Sequence, residues 1–400
     1  MSEKPIEGNA VIGQSGGPTA VINASLVGAV RGLRGMPEVK RVLGMRHGVR
    51  GMLDGDFFDL GDLDDDRLSR LRVTPSAGLG STRDKPDRAY CEKVLESAKK
   101  NDVRYFFYIG GNDSSDTCRI VNELSNEAGY ELRCFHIPKT VDNDLMENDH
   151  TPGFPSAARF VAKACMADFM DNISLPGIKI NVIMGRHAGF LTGASALARR
   201  SPNDGPQLIY LPEVAFDLDE FVQDVATLFD RRGRVHIAVS EGIADKDGQS
   251  IGAKLIQGEV DDHGNAQLSG SGALGDALSN LLKTKLAPPG GKPPRVRADT
   301  FGYVQRCFPD QSQIDLDEAE RAGRFATDLA RQGDLDGSIA IVRDSEEPYR
   351  SSCKRVPLTA VAAKTRHMPS EFIKGRHDVS EAFIKYAKPL VGDLPGFERL

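Results

Sequence analysis

No apolar run in this sequence approaches the roughly 18–20 residues that a membrane-spanning helix needs, so no membrane partner is expected. The opening residues Met1-Ser2-Glu3-Lys4-Pro5 lack the basic-then-apolar pattern of a signal peptide, and a cytoplasmic protein is expected. Tryptophan is absent, and the six cysteines (Cys91, Cys118, Cys134, Cys165, Cys307 and Cys353) form no C-x-x-C pair and join no histidine cluster. That scatter argues against a zinc site or a disulfide framework and for reduced, mostly buried thiols. An excess of positive charge is missing too. The formal charge of -6 speaks against a nucleic-acid partner. Any anionic ligand must then be met by a few placed basic residues.

What remains is an ordinary globular composition. The chain has 400 residues, 40% hydrophobic and 27% charged, enough for two or three domains with real cores. Its 41 glycines cluster after predicted strands, where a backbone turns tightly or approaches a ligand closely. A buried strand over 9–13 leads into Gln14-Ser15-Gly16-Gly17-Pro18 and then a helical pattern from Thr19 to Leu33. Strand, glycine loop and helix N-terminus make an anion site, and Gly16 and Gly17 are its candidate donor-binding residues. The motif is neither a Walker A loop nor a full G-x-G-x-x-G, and a tight turn reads the same residues equally well. A second strand follows at 39–45, and the acidic run 62–66 reads as solvated surface.

The loop from Thr74 to Lys85 brings small and hydroxylated residues up to two cations. Arg83 offers a planar fork and Lys85 a point charge, a clamp for a diphosphate or an exposed basic loop. After an amphipathic helix over 87–100, a second unit runs from a strand over 105–109 through Gly110-Gly111-Asn112-Asp113-Ser114-Ser115-Asp116-Thr117, with helix resuming at Cys118. Gly111 lets a phosphate approach, Asn112 offers an amide oxygen to a hard metal, and Asp113 adds negative charge. Asp113, Ser114 and Asp116 serve equally as helix caps.

The apolar run 132–137 ends in Lys139-Thr140-Val141-Asp142-Asn143-Asp144. Acids at i and i+2 on an extended segment point to one side, so one can take a proton while the other helps to hold a metal. A solvated turn is the competing reading. Further on, helices are expected over 154–172, 187–198, 216–230, 315–331 and 371–386, and strands over 178–184, 207–211 and 235–240. His187 reads as a structural or capping residue, and 287–294 as an exposed connection before the strand that carries Arg297. Strands alternating with helices indicate α/β architecture, two mostly parallel sheets with helices on both faces.

Five motifs, Gly110-Gly111-Asn112-Asp113-Ser114, Pro138-Lys139-Thr140-Val141-Asp142-Asn143-Asp144, Met184-Gly185-Arg186, Leu211-Pro212-Glu213 and Gly302-Tyr303-Val304-Gln305-Arg306, resemble the phosphofructokinase family in order and spacing. Within it the chain is similar to the diphosphate-dependent branch. The resemblance implies two Rossmann-like three-layer α/β/α domains, a donor domain (1–152 plus 305–356) and a sugar-phosphate domain (153–304 plus 357–400) whose closure excludes water. It implies magnesium-dependent, reversible transfer from diphosphate to fructose 6-phosphate, a step of glycolysis and its reversal, by a homodimer or homotetramer. Asp142 would be the base, with Lys139, Arg186 and Thr140 also catalytic. Thr140, Asp142, Met184, Gly185, Arg186, Glu213, Arg297, Tyr303 and Arg306 would bind the sugar phosphate, the arginines gripping its 6-phosphate. Gly16, Gly17, Arg83, Lys85, Gly111, Asp113 and Lys139 would hold the donor, and Asp113, Asn112 and Asp144 the metal.

The donor is argued from Asp113 and Lys139, where the ATP-using members carry glycine. A carboxylate there repels a nucleotide's α-phosphate, and the lysine restores affinity for the shorter donor. ATP-dependent transfer and a catalytically silent sugar-phosphate-binding subunit are the alternatives. Two departures stand out. Asn112 replaces a metal-binding Asp, and Gly177 replaces an arginine that reaches a neighbouring subunit's substrate, with Lys179 the nearby substitute.

Overall fold

The computed structural model describes residues 5–255 and 272–398. The strands in chain order are β1 (Gly8–Gln14), β2 (Val39–Met45), β3 (Phe57–Asp59), β4 (Val103–Gly110), β5 (Arg133–Pro138), β6 (Ile178–Ile183), β7 (Leu208–Tyr210), β8 (Val235–Ser240), β9 (Val296–Thr300), β10 (Asp336–Glu346) and β11 (Tyr349–Val356). The chain divides into two units, residues 1–156 with 306–366 and residues 157–305 with 367–400.

Unit 1 is built on a seven-stranded sheet of order β11-β10-β5-β4-β1-β2-β3. Its central strands are parallel, and the outer pairs β2–β3 and β10–β11 are antiparallel. Buried parallel strands read as continuous apolar runs whose alternate residues feed opposite faces. β4 does this. Tyr105, Phe107 and Ile109 join the core under helices Ile22–Leu33 and Gln313–Gln332, while Phe106 and Tyr108 join the core under Arg88–Lys100 and Asn112–Glu127. That is the three-layer arrangement. From β1 the chain steps to β2 and β3 on one side, then returns to β4 and β5 on the other. The order therefore reverses between β1 and β4, and the carboxyl ends of β1, β4 and β5 lie in neighbouring positions of one sheet edge.

Unit 2 carries a four-stranded sheet of order β7-β8-β6-β9, parallel throughout. Ile178, Ile180 and Val182 of β6 pack with Ile237 of β8 and with Phe221, Leu274 and Leu278 from the covering helices. All four strands deliver their following loops to the carboxyl edge.

Several elements differ from the sequence reading. The helix expected from Thr19 begins at Ile22. The stretch after Gly111, read as a loop, is the first turn of Asn112–Glu127, because Gly111 O accepts the N–H groups of Ser114 and Ser115 at 3.1 and 3.0 Å. Of the helix expected over 187–198, only Phe190–Ala194 is α-helical, followed by a 3-10 turn Ser195–Ala198. The acidic run contains a cap: Asp64 accepts from Arg67 N at 2.7 Å and starts Asp65–Arg72. The helix expected over 371–386 is a turn at Ser370–Phe372 and a later helix, Glu381–Val391, capped by Ser380. The β10–β11 pair was not anticipated. The segment 287–294 is largely exposed, and all six cysteines are free. Among the described residues no helix is long and apolar enough to cross a membrane.

Candidate active site

At the carboxyl edge of unit 1, buried Gln14 ends β1 and ties two loops together. Its Oε1 accepts Leu79 N at 2.9 Å and its Nε2 donates to Asn23 Oδ1 at 2.9 Å, and that oxygen also accepts Gly78 N at 2.8 Å. Gly16 then bonds to the Arg83 loop through its N–H to Thr82 O at 2.9 Å and its carbonyl, which accepts from Ser81 Oγ at 2.6 Å. Gly16 sits at φ +76°, the left-handed region that favours glycine. Space requires glycine as well: a Cβ on Gly16 would lie 3.1 Å from Lys139 Nζ, and one on Gly17 would lie 3.0 Å from Arg306 Cζ.

Two cations therefore press on this glycine turn. Lys139 is 3% exposed, and its Nζ donates to Gly17 O at 2.7 Å. Burial pushes its amine down to about 7, the neighbouring Arg306 guanidinium pushes the same way, and Asp142 opposes both. Lys139 is placed by β5, whose ladder runs on through Lys139 N to Gly110 O at 3.0 Å. The same carbonyl takes His136 Nε2 at 2.9 Å while His136 Nδ1 meets Ser338 Oγ at 2.8 Å. Burial lowers His136 to about 4, so it is neutral and must carry its proton on Nε2.

Beyond Lys139, Thr140 N donates to Pro152 O at 3.2 Å and Thr140 Oγ1 accepts Asp142 N at 3.1 Å. Asn143 turns the chain at φ +60°. The segment is thus not extended at that point, and strand alternation does not set the directions of Asp142 and Asp144. Asp144 Oδ2 accepts Asn112 Nδ2 at 3.1 Å, and Asn112 Oδ1 is buried with no hydrogen-bond partner among the described residues. A carboxylate beside an orphaned amide oxygen suits a hard cation that takes its other ligands from phosphate and water. No cluster of three or more acidic, His or Cys ligands exists among the described residues. Asp113, 66% exposed, lies 3.8 Å from Lys85 Nζ. Arg83 is exposed.

In unit 2 the loop after β6 holds Met184, Gly185 and Arg186. Met184 N donates to Gln305 Oε1 at 3.4 Å, and Gly185 O accepts Ser240 Oγ at 2.8 Å from the end of β8. A Cβ on Gly242 would lie 1.9 Å from Arg186 O, so the loops after β6 and β8 are pressed together. Glu213 Oε1 accepts Gly189 N and Met368 N, both at 2.9 Å, and its Oε2 is buried without a hydrogen-bond partner among the described residues. That oxygen could accept a hydroxyl. Arg297 on β9 and Tyr303 are exposed, Arg297 Nη1 donating to Val296 O at 3.0 Å. Arg306, read with them as a 6-phosphate grip, belongs to unit 1.

Three residues without local signal also reach these loops. Arg366 bonds to the backbone after Asp142, His367 Nδ1 donates to His187 O at 2.8 Å, and Met368 N reaches Glu213. Their partners are distant in sequence, and no nearby pattern marks them. Lys179 cannot stand in for the missing arginine, because its Nζ is held by Asp168 at 2.9 Å and Asp299 at 2.6 Å. At Gly177 a Cβ would meet Arg295 O at 2.7 Å, which bars any side chain there.

Comparison with known proteins agrees with this architecture. A family model described as phosphofructokinase matches residues 9–330. A pyrophosphate–fructose 6-phosphate 1-phosphotransferase from Rhodospirillum rubrum is 52% identical over 398 residues, covering 98% of this chain and 97% of the relative. One of the same name from Halomonas elongata is 36% identical over 404 residues, covering 98% and 94%. The crystal structure of a pyrophosphate-dependent phosphofructokinase from Nitrosospira multiformis superposes with a TM-score of 0.85 at 32% identity, covering 98% of this chain and 94% of that one.

Proposed function

The chain belongs to the phosphofructokinase family, and from that premise we propose that it transfers a phosphoryl group reversibly from diphosphate to the 1-hydroxyl of fructose 6-phosphate, giving fructose 1,6-bisphosphate and phosphate. The observation that carries the donor is Lys139, a lysine 3% exposed and closed against the Gly16–Gly17 turn beside Arg306. A buried lysine is costly to keep charged, and the partly buried Arg306 beside the same turn repels it. A compact, highly charged diphosphate offsets that cost within one loop. Asp113 adds negative charge at the first turn of the next helix, where a nucleotide's further phosphate would be repelled.

In the forward direction Asp142 accepts the proton of the 1-hydroxyl as that oxygen attacks phosphorus in line with the leaving phosphate. Thr140, bonded to Asp142 N, fixes the segment that presents the base. Lys139 holds the charge that grows on the leaving phosphate, Arg306 adds to the positive field at that turn, and Arg83 and Lys85 extend it. From unit 2, Arg186 supports the transferring group, Glu213 accepts a sugar hydroxyl, and Arg297 and Tyr303 hold the 6-phosphate. Asp144 and Asn112, together with the diphosphate, would hold magnesium, which would supply neutralisation of phosphate charge. The transfer is reversible because the diphosphate bond and the sugar ester lie closer in transfer potential than ATP and that ester do. The proposal includes a homodimer or homotetramer, between which light scattering would decide.

The test is turnover of fructose 6-phosphate with magnesium, diphosphate being compared with ATP. Diphosphate should be the better donor by at least about 10²-fold in kcat/KM, some 2.7 kcal/mol of discrimination. Equal or better use of ATP would sink the donor assignment. Asp142→Ser should cut kcat by roughly 10²–10⁴-fold and leave both KM values nearly unchanged.

A further inference from the structure

The loop that follows Asp142 is an unusual piece of backbone. Asn143 and Glu147 both adopt positive φ, +60° and +65°. Non-glycine residues in that region are uncommon and persist where surrounding bonds over-determine them. At the far end those bonds come from β10: Ile341 N donates to Asn148 Oδ1 at 3.0 Å, and Asp149 N donates to Ile341 O at 2.9 Å. Nearer the proposed base they come from Arg366. Its backbone N–H donates to Asp144 O at 2.7 Å and its Nη2 to Asn143 O at 3.0 Å. Its Nη1 donates to Asp149 O at 2.9 Å and also to Asn148 O.

We propose that Arg366 is a positioning residue for the transfer reaction: by gathering the carbonyls of Asn143, Asn148 and Asp149 with its guanidinium it sets the backbone on which Asp142 and Asp144 present their carboxylates. The inference rests on the reading of Asp142 as the base. The chemistry asks for arginine in particular. Its planar fork carries N–H donors in fixed directions and can hold several carbonyls at once, whereas a lysine ammonium gathers its donors on one nitrogen. The two residues that follow serve the other unit, His367 through His187 O and Met368 through Glu213. One short stretch thus carries contacts to the loop of the base and to the loop of the proposed sugar acceptor.

Displacement of a reacting group by about 1 Å can cost on the order of 10²-fold in rate. Arg366→Ala should therefore lower kcat about 10²-fold and Arg366→Lys about tenfold, with KM for both substrates within about threefold of wild type. Added methylguanidine should restore part of the rate to Arg366→Ala and do nothing for wild type. Independently of turnover, amide exchange over 142–151 should accelerate in both variants. If Arg366→Ala does not accumulate folded, Arg366→Lys carries the test. Unchanged kcat, or a rate loss with loop exchange unaltered and no rescue by methylguanidine, overturns the proposal. Wild type inactive on diphosphate and fructose 6-phosphate would refute the functional reading instead, and the exchange measurement would still decide whether Arg366 holds the loop.

Discussion

Lys139 shows how the burial of one charged side chain costs stability. Its ordinary amine would titrate near 10.5, and burial brings it to about 7 in the folded chain. Between those values the unfolded chain binds a proton that the folded chain does not, so this residue makes stability rise as pH rises through that window. Below about 7 the cost is present in full; above about 10 it is gone. Lys139→Met should therefore raise the melting temperature of the unliganded protein, by more at pH 6 than at pH 10, and should remove most diphosphate turnover. Thermal melts across that range check it. A variant destabilised equally at all pH values would mean that the bond to Gly17 O outweighs the burial of charge. The type and position of Lys139 were legible in the sequence, at the polar end of an apolar run. Its depressed amine was not, because Arg306 and the Gly17 turn come from remote parts of the chain.

Among elements, the strand–glycine–helix units after β1 and β4 were legible because glycine pairs follow apolar runs and precede helical spacing. The start of Asn112–Glu127 was not. Asn-Asp-Ser-Ser is the vocabulary of loops and of first helical turns alike, and acceptance of two N–H groups by Gly111 O decides for the helix. That early start has a steric consequence, since a Cβ on Gly110 would lie 2.0 Å from Ser114 Oγ and 2.4 Å from Ser114 Cβ. Gly110→Ala should destabilise the protein by roughly 1–3 kcal/mol through overpacking. Ser114→Ala should not relieve it, because the Cβ remains. Ser114→Gly should recover much of the loss in the double variant. Melting temperatures of the three variants check this, and equal rescue by alanine would place the clash elsewhere.

For the whole molecule, alternation of strands and helices foretold the layered α/β character. It could not foretell the antiparallel β10–β11 pair, a hairpin joined across Glu347 and Pro348 that no Asn-Gly or Asp-Gly turn signal marks. The division into two units matters for function because most of the groups assigned to the two substrates fall on different units, with Thr140, Asp142 and Arg306 of the sugar-phosphate set lying in unit 1. Gly16, Gly17, Asp113, Lys139 and Asp144 belong to unit 1, while Met184, Gly185, Arg186, Glu213 and Arg297 belong to unit 2. Each substrate should then leave its own footprint in amide exchange, since a bound ligand suppresses the local openings through which its contacts exchange. Magnesium diphosphate alone should slow exchange at 15–17, 110–115 and 139–144. Fructose 6-phosphate alone should slow it at 184–189, around Glu213 and at Met368, whose amide is bonded to that carboxylate. Protection by fructose 6-phosphate confined to the unit 1 segments would reverse the assignment of substrates to units. Protection by diphosphate that appears without magnesium and does not grow when the metal is added would remove Asp144 and Asn112 from its binding, because a cation that takes most of its ligands from the phosphates should bind with them and not before them.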